Sequence, residues 1–214
     1  MASFNFLAYD DGTKEINDAT SPSLGEGNSS EVGNKMILLP PVQQPFSHVG
    51  EILECLPPLS SSILLHSCCA PCSGAMVEFL SKLGFRLTIF FYNPNIHPKK
   101  EYEIRKEENK RFAKKLNIKF IDCDYDSDNW FKRAKGMEYD AERGGRCTMC
   151  FDMRMERTAL YAFENSFDFI TTTNATSRWK DKDQVNNSGI KAAAKYNPNV
   201  EYFFYDWQVS FEGI

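Results

Sequence analysis

The chain has 214 residues, 42% of them hydrophobic and 14% aromatic, with 25% charged and a formal net charge of −4. That length suits one domain, or one domain with a tail, and the composition excludes a wholly disordered or fibrous chain. No apolar run approaches the roughly 20 residues of a membrane-spanning helix, and the acidity is local: residues 1–60 hold eight acidic groups against two basic ones, the remaining 154 hold 21 against 23.

Residues 1–60 are rich in Ser, Gly, Asn, Glu and Pro without a sustained period, which reads as a flexible acidic extension. The start lacks the basic region of a secretory signal and the first arginine is Arg86, so a cytoplasmic protein with reduced thiols is expected. From residue 61 the texture changes. Ile63-Leu64-Leu65-His66 predicts a buried strand, and Met76, Phe79, Leu80 and Leu83 predict a helix face closed by Gly84. Leu87–Tyr92 is the next strand, stopped by Asn93-Pro94-Asn95, and a charged helix follows over 99–116. Ile118–Ile121 makes a third strand, with helices at 127–135 and 147–164. Phe167–Thr173 is a fourth strand, before a helix near 181–195 and a last strand near 201–205. Strands alternating with helices predict an α/β fold: a parallel sheet with helices on both faces, a Rossmann-like three-layer sandwich spanning 61–207, with 208–214 as a tail.

Seven cysteines stand at 55, 68, 69, 72, 123, 147 and 150. The odd, clustered pattern is not the disulfide framework of a small secreted domain. In such a sheet, ligands bind beyond the carboxyl ends of the strands, where Cys68, Cys69 and Cys72 are predicted to lie. Cys147 and Cys150 open the long helix, where unsatisfied N–H groups and the helix dipole favour thiolate. Five sulfurs at one rim point to a metal centre; Cys55 and Cys123 stand alone and carry no chemical role. Zinc is the default for four sulfurs, but the fifth thiol favours iron–sulfur ligation.

The stretches Leu65-His-Ser-Cys-Cys-Ala-Pro-Cys-Ser-Gly74, Phe91-Tyr-Asn-Pro-Asn-Ile-His-Pro98, Arg143-Gly-Gly-Arg-Cys-Thr-Met-Cys-Phe-Asp-Met-Arg154 and Ser177-Arg-Trp-Lys180 strongly resemble the cobalamin-independent epoxyqueuosine reductases. The resemblance covers about residues 60–207 and implies an enzyme that reduces epoxyqueuosine to queuosine at the wobble position of tRNA for Asp, Asn, His and Tyr. It also implies a 4Fe–4S cluster on Cys68, Cys69, Cys147 and Cys150 or a subset of them, with a mononuclear iron beside it on the remaining thiolates. Cys72 is the candidate holder of that iron. Asp152 is the candidate catalytic carboxylate, with Tyr92, His66 and Asp183 as further proton donors by placement. Family members continue past the Tyr-Asp-Trp segment into a basic stretch and a Cys-Gly-Cys pair; this chain departs from that pattern after Trp207, which implies impaired electron acceptance by that route.

Arg178-Trp179-Lys180 is the candidate tRNA contact, since an indole between two cations can stack a base and grip phosphate; a buried core Trp is the competing reading. Residues 97–119 hold nine basic side chains against four acidic ones, either a phosphate-binding face or a solvated helix. The electron donor is not legible. Two other classes remain: a tRNA sulfur-transfer enzyme, which would need a glycine-rich phosphate loop where Cys-Cys-Ala-Pro-Cys stands, and a zinc-stabilised binding module.

Overall fold

The computed structural model describes residues 61–205 and 207, so the acidic extension and the 208–214 tail of the sequence reading lie outside the described residues. The elements run β1 (Ser62–His66), α1 (Ala70–Lys82), β2 (Arg86–Phe91), α2 (Lys99–Lys115), β3 (Lys119–Asp122), α3 (Ser127–Ala134), α4 (Gly145–Glu164), β4 (Phe169–Thr172), a 3-10 turn (Thr173–Thr176), α5 (Lys182–Ala194) and β5 (Glu201–Tyr202). All strand pairs are parallel, in the order β3-β2-β1-β4-β5.

The apolar alternation explains the layers. Ile63 and Leu65 of β1 and Ile89 of β2 pack on one face with Met76, Val77 and Leu80 of α1 and Ala113 of α2. Leu64, Phe90 and Ile170 turn to the other face, against Met155, Ala159 and Ala162 of α4 and Ala192 and Ala193 of α5. Ile63, Leu64 and Leu65 are 0% exposed, and each such burial contributes roughly 1.5–3 kcal/mol. A strand covered on both sides reads as an uninterrupted apolar run.

The helix starts aim the cysteines. Cys69 caps α1 in extended backbone, and Pro71 in the first turn pre-sets the helical φ without costing a hydrogen bond. At the far end Gly84 takes φ +84°, a left-handed value that favours glycine. Gly144 caps α4, and a Cβ there would stand 2.8 Å from the Ala141 carbonyl oxygen. Asp140 Oδ2 accepts from the Arg146 backbone N–H at 2.8 Å, while the Arg146 guanidinium donates to the Met137 and Glu138 carbonyls at 3.2 and 2.6 Å. The first turn of α4 is thereby clamped to the loop before it.

Strand order reverses direction between β1 and β4, the position at which open α/β sheets leave a crevice at their carboxyl edge. Cys68 follows β1 there and Thr173 follows β4. A recess of about 400 Å³ lined by Phe163, Ser166, Phe167, Asp168 and Asn199 sits instead at the amino end of β4. No helix of the described residues is long and apolar enough to cross a membrane.

Candidate metal centre at the strand switch point

The sulfurs of Cys68, Cys69 and Cys72 lie within 4.8 Å of one another. Their backbone is fixed from below. Ser67 Oγ donates to Asn109 Oδ1 at 2.6 Å and lies 2.6 Å from Ser73 Oγ, which reaches the Cys69 carbonyl at 2.9 Å. Asn93 Nδ2 donates to the Ser67 carbonyl at 2.9 Å. Thr173, across the crevice, closes a small ring: its Oγ1 accepts from the Cys68 N–H at 3.2 Å and donates to Cys68 Sγ at 3.4 Å.

Cys69 and Cys72 are joined as a disulfide, with Cα atoms 5.5 Å apart. One helical turn brings this pair within bonding distance, where the sequence reading expects reduced thiols available for metal. A disulfide offers no thiolate, so both become ligands only once reduced. Cys68, Cys147 and Cys150 are free.

Cys147 and Cys150 sit in the first turns of α4, outside the 4.8 Å group. Cys147 packs against the apolar cluster that holds Leu65, Met76 and Ala175. Cys150 is buried and accepts the indole N–H of Trp130 on Sγ at 3.3 Å. Its carbonyl accepts from Arg154 Nε at 3.0 Å, and the buried Arg154 charge acts in turn on His66, two residues before Cys68. Both clusters thus face the carboxyl rim of the sheet. Cys123 is buried and burial pushes its thiol up, as fits a residue without chemistry, whereas Cys55 lies outside the described residues.

The donor set suits iron bound by sulfur. Soft thiolates are the side chains that select such centres, two of the free sulfurs already receive hydrogen bonds, and the wall behind them is apolar. His66 is no ligand here. The Tyr92 carbonyl, an acceptor only, takes the Nε2 proton at 3.0 Å, so Nδ1 accepts from Thr172 Oγ1 at 2.9 Å. Burial, and then the Arg154 charge, hold its pKa down to about 3, which makes it a neutral structural group rather than a proton donor.

The other expected site residues fall in distinct places. Asp152 Oδ2 is 3.0 Å from Lys191 Nζ, an ion pair between α4 and α5. Tyr92 donates to Asp126 Oδ2 at 3.1 Å, and burial with that nearby charge raises its pKa, keeping it protonated. Asp183 is exposed in the first turn of α5. Trp179 is 65% exposed with the Arg178 guanidinium 4.8 Å from its ring centroid, which removes the buried-core reading. Arg143 Nη2 donates to the Trp179 carbonyl at 3.4 Å and Lys180 N to the Ser177 carbonyl at 3.2 Å. On α2, Arg105, Lys106 and Lys110 pair with Glu101, Glu103 and Glu107 at 2.7, 2.8 and 3.6 Å.

Sequence reasoning missed Trp130, Thr173, Arg154 and His97, because each reaches the site from a separate segment and no spacing announces it. Tyr125 OH donates to the Ile96 carbonyl at 2.7 Å, so it accepts from His97 Nδ1 at 2.9 Å. Nε2 is left an acceptor without a partner among the described residues, in a ring stacked on Phe131 at 4.4 Å and 5.2 Å from Trp130.

The profile of "Epoxyqueuosine reductase QueH" matches residues 63–212, five residues beyond the point at which the sequence reading ended its resemblance. Proteins named epoxyqueuosine reductase QueH from Acinetobacter baylyi, Haemophilus influenzae and Histophilus somni are 61%, 58% and 59% identical over 72%, 75% and 72% of this chain. The chain spans 70%, 64% and 63% of their lengths, less than two thirds of the latter two. A solved structure described as a predicted subunit of tRNA methyltransferase from Methanocaldococcus jannaschii shares the fold at TM-score 0.50 and 18% identity, over 71% of each chain.

Proposed function

This chain belongs to the epoxyqueuosine reductase QueH family, and we propose that it reduces epoxyqueuosine to queuosine at the wobble position of tRNA for Asp, Asn, His and Tyr, in the cytoplasm. The observation that carries the reading is the group of three sulfurs at the β1/β4 crevice, facing the same rim as two more at the start of α4. Cys68, Cys69, Cys147 and Cys150 would hold a 4Fe–4S cluster, and Cys72, exposed in the first turn of α1, would take part in holding a further iron. Such a centre supplies electrons singly, and an iron with an open position supplies Lewis acidity toward an epoxide oxygen.

The chain's own residues supply the rest. Removal of the epoxide oxygen as water consumes two electrons and two protons. Asp152 is assigned a part in proton movement, with Lys191 Nζ 3.0 Å from its Oδ2. Trp179 offers a base an exposed face, with Arg178 and Lys180 beside it for phosphate. The electron donor and the route by which it reaches the thiolates are outside this assignment.

Anaerobic purification tests it. A brown protein absorbing at roughly 400 nm, as cysteine-ligated clusters do, that forms queuosine on epoxyqueuosine-containing tRNA supports the assignment. A colourless protein holding one zinc refutes it in favour of a zinc-stabilised module. For Cys72→Ala, iron should fall while sulfide is kept; loss of both would refute the split between cluster and further iron.

A further inference from the structure

We propose that Trp130 and Thr173 are positioning residues that set the reduction potential of the thiolate centre, through one hydrogen bond each to a different cysteine sulfur. The inference rests on the reading that these thiolates hold an iron–sulfur centre. Its geometry is independent of that reading.

Each contact puts a donor on a cysteine sulfur. An indole N–H can only donate, so the 3.3 Å contact from Trp130 Nε1 delivers its proton to Cys150 Sγ. Thr173 Oγ1 accepts from the Cys68 backbone N–H at 3.2 Å, and because a ligand thiolate can only accept, its hydroxyl donates to Cys68 Sγ at 3.4 Å. One donor comes from α3 and one from the turn after β4, and they address one sulfur in each of the two cysteine clusters.

Trp130 is held from several sides. Asp126, at the start of α3, accepts from Tyr92 OH at 3.1 Å and from Asn129 Nδ2 at 2.9 Å, which ties the helix to the end of β2. The indole is then flanked by His97, at 5.2 Å between ring centroids, and by the edge of Phe131 at 5.3 Å. Thr173 is 1% exposed, so no water stands ready to replace its hydroxyl.

A donor aimed at a ligand sulfur stabilises negative charge there. The reduced centre is the more negative state, so each bond favours reduction and raises the potential. Losing either bond lowers it.

The experiment uses the full chain, purified anaerobically with its metal, as wild type, Trp130→Phe, Thr173→Val and Thr173→Ser. Phenylalanine keeps an aromatic ring and loses the donor; valine keeps the threonine shape and loses the hydroxyl; serine keeps the hydroxyl. With iron and sulfide content retained, redox titration should place Trp130→Phe and Thr173→Val below wild type. At the wild-type midpoint their reduced-to-oxidised ratio falls roughly threefold to tenfold, a tenfold fall being about 59 mV for one electron. Thr173→Ser should titrate with wild type. Unmoved potentials at full metal content, or a fall in Thr173→Ser equal to that in Thr173→Val, overturn the inference and leave the proposed function standing. A wild-type chain that binds no iron overturns both.

If Trp130→Phe loses its metal, the metal-free chain decides. The Trp130 indole cross-peak in a nitrogen-15 correlation spectrum should move upfield in Cys150→Ala, and an unmoved peak overturns the assignment for Trp130.

Discussion

Asp168, just before β4, shows how much of the sheet's closure rests on one carboxylate. Its Oδ2 accepts the Ser62 backbone N–H at 2.7 Å and the Ser62 hydroxyl at 2.8 Å, tying β1 to β4 at the edge opposite the cysteines. Those bonds, the backbone one foremost, hold its pKa below the usual carboxylate range. A lowered folded-state value means that the stabilisation is complete above the unfolded value, about 3.9. It is lost as pH falls below that through the lower folded value. Asp168→Asn should cost about 1 kcal/mol at neutral pH, a figure kept small because the group is exposed, and should flatten the acid limb of a stability–pH curve measured by denaturant melts. Trp179 makes the contrasting case of a residue that folding does not need. Trp179→Ala should leave the melting temperature in place and weaken tRNA binding, followed by fluorescence anisotropy, by roughly fivefold to a hundredfold, the worth of one base–aromatic stack.

Elements carry constraints that no residue carries alone. On α5, Gly189 lies directly under the Tyr202 ring of β5, and a Cβ there would overlap that ring. Tyr202 cannot easily retreat, because its hydroxyl donates to Asn186 Oδ1 at 2.9 Å on the same helix. Exchanging a mid-helix glycine for alanine ordinarily stabilises by up to about 1 kcal/mol. Here Gly189→Ala should destabilise by about 1–3 kcal/mol through overpacking, so a thermal melt that shifts upward would contradict the close approach of α5 to β5. The same helix steadies the site: Gln184 Nε2 lies 3.0 and 3.2 Å from the Arg143 and Gly144 carbonyls and 2.6 Å from Thr148 Oγ1, its two hydrogens shared among the three acceptors at the start of α4. Nothing in the composition of α5 announces that role, because Gln184 acts on a segment about 40 residues away.

For the whole molecule, strand order decides which residues can share chemistry. With β1 beside β4, the residues that follow them meet across a crevice although 105 positions separate Cys68 from Thr173. The alternation of short apolar runs with amphipathic stretches made the strands and helices readable, since burial on both sheet faces imposes that period on any such chain. The two cysteine clusters were readable because each is a short local spacing, Cys68-Cys69-Ala-Pro-Cys72 and Cys147-Thr-Met-Cys150. Iron binding, the parting of Cys72 from the other thiolates and the part given to Asp152 remain proposals carried by the experiments above.

By itself the sequence determined the α/β layering, the two cysteine clusters and the family, because periodicity and motif spacing are properties of contiguous chain. Only the tertiary structure decided that Trp179 stands in solvent, that Cys69 and Cys72 pair with each other, that His66 is locked neutral, and that Trp130 and Thr173 reach two sulfurs. Each of those depends on which distant segments share a rim, and proximity of that kind leaves no mark in local spacing.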